Sequence, residues 1–218
     1  MINSDHIIIL GTAHLATTPG KSSPDGRLRE YAYSREIVAD IASTLRAYGY
    51  TVFVDYLDPQ PSTQMRHALW RMEQSRELMW RVKYVNDLCA RFGKQNCIYV
   101  SVHVNAAGCD KQWHDARGFS VYISPKSSDA SKRLAQAIYA AAEQEGSAVV
   151  GNRAVPPLHY WEQSIYVLNQ TVCPAALTEN LFQDNKADVA YLLSPEGKQS
   201  ITALHVNGII NYLKSLKR

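Results

Sequence analysis

The sequence predicts a single α/β domain with a mostly parallel sheet of about six strands, flanked by helices on both faces. Short apolar, β-branched segments alternate with longer segments whose apolar residues recur near a 3.6-residue period, which is typical of βαβ units. The chain has 218 residues, of which 46% are hydrophobic and 20% charged, so it can bury a core of its own. We therefore expect one domain over residues 1–218.

The first predicted unit is a strand, a loop, a helix and a second strand. The β-branched run His6–Leu10 predicts the first strand, and the Gly, Ser and Pro residues of Gly11–Gly26 predict a loop. Apolar spacing predicts a helix over Arg29–Tyr48 that ends at Gly49. Thr51–Tyr56 is the second strand, so the unit implies a parallel pair with a right-handed crossover.

The remaining segments continue this alternation. A linker is predicted at residues 58–64 and a loop at 146–163. The predicted helices are Met65–Phe92 (as one or two helices), Asp129–Glu145 and Pro195–Leu216. The predicted strands are Cys97–His103, Gly118–Ile123, Ser164–Leu168 and Ala175–Thr178.

Composition excludes several classes of protein. A net charge of +3 and a pI of about 8.6 are too mild to indicate a nucleic-acid partner. No run approaches the ~18 apolar residues of a membrane span, so no membrane insertion is expected. The start MINSDHIIIL lacks the basic region of a signal peptide, which predicts synthesis in the cytoplasm. Free and mostly buried thiols are expected at Cys89, Cys97, Cys109 and Cys173.

Two histidines and two carboxylates lie close to predicted strand ends. His14 follows the first strand, His103 ends the third, and Glu179 ends the segment AALT. Glu30 begins the first helix, whose N-terminus faces the same edge of the sheet. Two imidazoles and one carboxylate suit Zn²⁺ and leave a position for water, and a further carboxylate could act as general base. The four residues are far apart in sequence and form no short zinc motif, however. Each of them alone also fits a structural role, and Glu36 is an alternative ligand to Glu30.

Longer motifs support this site. The segment IIILGTAH leads to His14, and a Gly/Pro-rich loop then leads to Glu30 and a helix that ends in Gly-Tyr. The middle motif is SVHVNA, and the last is VLNQTVCPAALTENLFQDN. A Leu-x-x-Arg-Val-x-x-x-Asn pattern is matched by Leu78, Arg81, Val82 and Asn86. In these motifs the chain resembles the zinc-dependent N-acetylmuramoyl-L-alanine amidases of the amidase-3 type, found in phage endolysins and bacterial cell-wall hydrolases.

The resemblance implies a role for each site residue. His14, Glu30 and His103 would bind one zinc ion per chain, and Glu179 would be the catalytic carboxylate. The implied fold is a twisted mixed sheet flanked by helices. The implied substrate is peptidoglycan, at the amide between N-acetylmuramic acid and L-alanine. A phage or prophage lysin fits a chain without a leader, because such enzymes reach the wall by a separate export or lysis route.

The sequence departs from the family pattern in three places. The turn before the first histidine reads Gly-Thr-Ala-His instead of Asp-x-Gly-His, so a carboxylate contact there is expected to be missing or to come from elsewhere. Leu181 stands where the family often has Gly. Residues from about 58 to 77 look like a helical insertion.

Two candidate substrate contacts are weaker predictions. Asn105 could bind a peptide carbonyl or stabilise a turn, with equal weight. Arg153 lies in the segment NRAVPPLHYWEQ, whose Tyr160 and Trp161 could line a groove for the stem peptide or the sugar, or pack on the surface.

Other functions remain alternatives on the sequence. One is a zinc peptidase or amidohydrolase that uses the same site on another amide. Another is a non-catalytic murein-binding module, although such a module need not keep all four site residues. A nucleotide-binding domain is disfavoured because no GxGxxG or Walker pattern is present. The oligomeric state is left open.

Overall fold

A six-stranded mixed sheet forms the centre of the molecule. The computed structural model describes residues 6–152 and 157–216. The strands are β1 (Ile7–Thr12), β2 (Thr51–Val54), β3 (Cys97–Asn105), β4 (Ser120–Ile123), β5 (Trp161–Glu162) and β6 (Ala175–Phe182). Their spatial order is β2-β1-β3-β6-β4-β5.

Four of the five strand pairs are parallel. β1 pairs with β2 and β3, β3 pairs with β6, and β4 pairs with β5, all in parallel. Only the pair between β4 and β6 is antiparallel. The predicted α/β class with a mostly parallel sheet is thus confirmed.

Helices cover both faces of the sheet, also as predicted. They are α1 (Glu30–Ala47), α2 (Trp70–Phe92), α3 (Asp129–Gln144), α4 (Ser147–Val150), α5 (Tyr166–Gln170), α6 (Lys186–Leu193) and α7 (Pro195–Ser215), with a 3-10 turn at Lys94–Asn96. One face packs against α1, α3, α6 and α7, and the other against α2 and α5. Within the described ranges, no helix is both long and apolar enough to cross a membrane.

The alternation of side chains along β3 decides on which face of the sheet each of its polar residues lies. The even-numbered residues from Ile98 to Val104 are buried in the larger core, on the α1 face. Cys97 and Tyr99 are buried against α2. Since side chains alternate between faces, His103 and Asn105 lie on the α2 face at the carboxyl end of the strand.

The predicted strand Ser164–Leu168 is wrong. Those residues lead into α5, and the strand comes earlier, as the two-residue β5. β-Branched and aromatic residues, Ile165, Tyr166 and Val167, give this segment a strand propensity. In the structure Val167 and Leu168 are both buried in the core on the α2 face, which a helical turn permits and an edge strand does not.

The structure also differs from the predicted elements in three short helices or strands and in a longer β6. α4 and β5 lie inside the predicted loop 146–163, and α6 was not predicted. α6 begins at an N-cap, where the Asn185 side chain accepts hydrogen bonds from the N–H groups of Ala187 and Asp188. β6 continues to Phe182, so Glu179 lies within a strand rather than after one. Of the segment interpreted as a helical insertion, only residues 70–77 are helical.

The cysteines agree with the prediction. All four are free thiols, and Cys89, Cys97 and Cys173 are buried while Cys109 is exposed.

A bulge in β6 shows why glycine is favoured at the position of Leu181, where this chain departs from the family pattern. His103 pairs with Glu179 and Asn105 with Phe182, so β6 carries one extra residue beside β3. Leu181 has a φ of 62° and is fully buried in the larger core. Only Gly adopts this left-handed conformation without a steric cost, which accounts for a glycine preference at this position.

We expect Leu181→Gly to be more stable than Leu181→Ala, by about 1 kcal/mol. Both variants lose the buried leucine, but only glycine relieves the left-handed strain. Urea unfolding of the two variants measures the difference. Leu177 on the same strand is the control, because its φ is negative and the usual order, with Ala about 0.5–1 kcal/mol more stable than Gly, applies. The same order at both positions would contradict the strain at Leu181.

Candidate active site

Three elements bring His14, Glu30 and His103 together. His14 lies two residues after β1, with a φ of 44°, Glu30 is the first residue of α1, and His103 is in β3. One potential ligand atom from each lies within 4.8 Å of the others. The predicted metal ligands therefore form a cluster at the carboxyl end of the sheet.

Glu30 is at the centre of this cluster. Its Oε1 lies 3.1 Å from Nδ1 of His103 and accepts a hydrogen bond from the N–H of Val104 at 3.1 Å. Its Oε2 lies 3.4 Å from Nε2 of His14 and 3.7 Å from Nζ of Lys21. The carboxylate is thus placed between both imidazoles.

The protonation states suit metal binding. Burial by itself opposes ionisation of Glu30, but the adjacent His14, His103 and Lys21 hold its pKa well below the usual range. Burial also lowers the pKa of His103 to about 4. At neutral pH the carboxylate is charged and the His103 imidazole is neutral, which leaves a ring nitrogen with a lone pair.

The donor set fits a divalent ion. Glu30 is 1% exposed, and its Oε2 receives no hydrogen bond from the residues that the structure describes. A buried carboxylate oxygen in that state is costly unless a cation completes its environment. Two imidazoles and a carboxylate are ligands that zinc accepts, and these three side chains can hold a metal ion.

Glu179 lies on the strand next to His103. The two residues are paired across the parallel strands β3 and β6, so their side chains lie on the same face of the sheet. The alternative ligand Glu36 lies elsewhere on α1, where Oε1 accepts a hydrogen bond from Nζ of Lys198 at 2.6 Å. The structure therefore places Glu30 with the two histidines and Glu179 beside His103, whereas Glu36 is bonded to Lys198.

Comparison with known proteins shows the family of this chain. The family model described as N-acetylmuramoyl-L-alanine amidase (Amidase_3) matches residues 8–211. The chain belongs to this amidase family. A curated relative, an endolysin of Bacillus phage SPP1, is 31% identical over 121 residues, which are 56% of this chain and 42% of the relative. The match thus spans less than half the length of that relative.

Solved structures of amidases share the fold of this family member. The CwlD amidase of Clostridioides difficile, solved in complex with the GerS lipoprotein, is 21% identical with a TM-score of 0.76, covering 96% of this chain and 99% of that one. An N-acetylmuramoyl-L-alanine amidase of Clostridium difficile 630 is 20% identical with a TM-score of 0.77, covering 98% of both chains.

Two serines support the histidines of this amidase-family site. Oγ of Ser101 lies 3.1 Å from Nε2 of His103 and holds the ring orientation. Oγ of Ser34 accepts a hydrogen bond from the N–H of Ala13 at 2.8 Å and donates one to the carbonyl of Val102 at 2.6 Å. Sequence reasoning assigned neither role, although Ser101 begins the motif SVHVNA.

A buried ion network holds the turn that precedes His14. Asp55, just after β2, accepts a hydrogen bond from the N–H of Thr12 at 2.9 Å, so a carboxylate does reach this turn from elsewhere. Nη1 of Arg81 lies 2.6 Å from Oδ1 of Asp55 and donates to Oγ1 of Thr12 at 3.1 Å. Nε of Arg81 donates to Oε1 of Glu77 at 2.8 Å. The Leu-x-x-Arg pattern therefore has a structural role in this family member.

Of the two candidate substrate-binding residues, Asn105 and Arg153, the structure describes only Asn105. Oδ1 of Asn105 accepts a hydrogen bond from the N–H of Ala106 at 2.8 Å, a turn contact of the kind expected from its alternative role. Arg153 lies outside the described residues. Nearby, Tyr160 is buried, and the ring of Trp161 packs against Tyr122 with centroids 5.7 Å apart.

Proposed function

We propose that this chain is a zinc-dependent hydrolase that cleaves the amide between N-acetylmuramic acid and L-alanine in peptidoglycan. The observation that carries the proposal is the cluster of His14, Glu30 and His103 in a chain that belongs to the amidase family. The endolysin relative supports wall lysis as the setting.

The proposed roles follow from the positions of the side chains. A zinc ion held by His14, Glu30 and His103 would lower the pKa of a bound water and polarise the scissile carbonyl. Glu179, beside His103 on the same face of the sheet, would accept the proton that the attacking water loses. It would then donate that proton to the amine nitrogen of the departing L-alanine. Ser101 would keep the His103 ring in place throughout.

The test of the function is digestion of purified murein, with products identified by mass spectrometry. We expect stem peptides with a free L-alanine amine, no product after chelation, and recovery on addition of zinc. Cleavage within the peptide would replace the proposal with the zinc peptidase. Binding of murein without any product, in the zinc-loaded protein, would replace it with the binding module.

The metal ligands are tested by zinc content. Glu30→Gln is expected to reduce bound zinc from one ion per chain to well below half, because the neutral amide cannot replace the buried carboxylate. Glu36→Gln, one and a half turns along the same helix, is the matched control and should keep one ion. Elemental analysis after gel filtration gives both values, and equal zinc loss in the two variants would contradict the assignment.

A further inference from the structure

A cavity of about 620 Å³ adjoins the candidate metal site. One wall is residues 19–26 of the loop that leads to Glu30, and a second is the turn 106–112 that follows β3. The third is Gln183 and Asp184, just after β6. Each wall is therefore continuous in sequence with a strand or helix that carries a site residue.

The walls are held in place by direct hydrogen bonds. Nε2 of Gln183 donates to the carbonyl of Gly20 at 3.0 Å, which joins the first wall to the third. The Asp184 carboxylate accepts hydrogen bonds from the N–H groups of Ala107 and Gly108 at 2.8 and 2.9 Å, which joins the second wall to the third. The three walls of the cavity are therefore joined to one another by hydrogen bonds.

Two lysines and two aspartates line this cavity, and in the part of the chain that the structure describes Lys111 is the cation without an acidic partner. Lys21 and Lys111 both line it. Asp184 is engaged by backbone N–H groups, and Asp25 is engaged by Oγ of Ser23 and Nε of Arg27, both at 2.7 Å. Among the described residues, no carboxylate lies within ion-pair distance of Lys111, so its ammonium is available to an anion.

Lys21 lies beside both the cavity and the candidate metal site. Its Nζ lies 3.7 Å from Oε2 of Glu30, while its side chain lines the cavity. An extended peptide advances roughly 3.4 Å per residue. A peptide whose first amide lies at the metal site and whose chain runs past Lys21 would place its next residue at the cavity.

We propose that this cavity is a specificity subsite for a free carboxylate on the stem-peptide residue that follows L-alanine, with Lys111 as the residue that selects it over the carboxamide. The inference rests on the proposed function, since it assumes that the muramoyl–L-alanine amide lies at the metal site. The amide form of the same residue offers Lys111 no charge to pair with.

The first test compares two muramoyl dipeptides whose second residue is D-glutamate or D-isoglutamine. The γ-carboxyl of that residue is blocked as a methylamide in both, so that they differ only in having an α-carboxylate or an α-carboxamide. We expect the wild type to have a several-fold lower KM for the acid, and kcat to be similar for both. Lys111→Glu should reduce this preference to about one or reverse it, and added salt should weaken it in the wild type. Lys94→Glu, exposed at the amino end of β3, is the matched control and should keep the preference. No preference in the wild type, or the same preference in Lys111→Glu, would overturn the inference.

A second test does not depend on hydrolysis. Cys109 is exposed and lines the cavity, whereas the other three thiols are buried. We use L-alanyl-D-glutamate and L-alanyl-D-isoglutamine, each with its γ-carboxyl blocked as a methylamide. We expect the glutamate form to slow alkylation of Cys109 by a neutral maleimide several-fold, the isoglutamine form to slow it less, and Lys111→Glu to abolish the difference. Protection without hydrolysis of either substrate would support the subsite and overturn the proposed function. Equal hydrolysis of both substrates without protection would overturn the subsite alone.

Discussion

Glu179→Gln is expected to lower muropeptide turnover by about 10²- to 10⁴-fold while bound zinc stays at one ion per chain. The amide has nearly the same shape but cannot accept a proton from water. Glu179 is also paired with His103 across β3 and β6, so an isosteric change should leave the strand pairing intact. Single-turnover rates on a defined muropeptide, together with the zinc content of the same sample, measure both quantities.

The control for this experiment is Glu162→Gln. Glu162 is an exposed carboxylate on β5 in the same sheet, and we expect its loss to change turnover less than twofold. If Glu179→Gln retained activity within a few-fold of the wild type, Glu179 would not be the general base. A loss of zinc in that variant would instead assign Glu179 to the metal.

Arg81→Met is expected to lower the free energy of unfolding by about 3–5 kcal/mol, the largest effect that we expect on stability. Arg81 is 2% exposed and lies between Asp55 and Glu77, both of which are also buried. Removing the guanidinium leaves two buried carboxylates without their cation, whereas methionine restores only the packing of its stem. Chemical unfolding followed by circular dichroism measures the change.

Two further variants separate charge from packing at this position. Arg91→Met, on the exposed surface of the same helix, should change stability by less than about 0.5 kcal/mol. Adding Asp55→Asn and Glu77→Gln to Arg81→Met should recover part of the lost stability, because no uncompensated buried charge remains. If the triple variant were less stable than Arg81→Met alone, hydrogen bonding rather than charge would dominate the network.

The Arg81 network also links stability to the metal site. Arg81 and Asp55 both bind Thr12, which lies two residues before His14. The N–H of Ala13, in between, is held by Ser34. The position of the first histidine thus depends on α1, α2 and the end of β2, although no residue of α2 is in the metal cluster.

The sequence by itself determined the fold class and the candidate ligands. The motifs around His14, Glu30 and His103 resemble those of the amidase family, and that resemblance supplied the candidate ligands. Strand and helix periodicities and the Gly49 helix stop are local patterns, and local backbone and burial preferences are sufficient to interpret them. This is why the predicted bounds of α3, which ends one residue before the predicted Glu145, are nearly correct.

Only the tertiary structure decided which groups meet. The position of Glu30 between the two imidazoles, the burial of Arg81 between Asp55 and Glu77, and the left-handed Leu181 in the β6 bulge all depend on contacts between distant segments. The helix at Tyr166–Gln170 likewise follows from burial against the α2 layer, which overrode the strand propensity of its β-branched and aromatic residues. Such contacts outweigh local propensity because the free energy of burial and ion pairing is gained only when remote parts of the chain pack together.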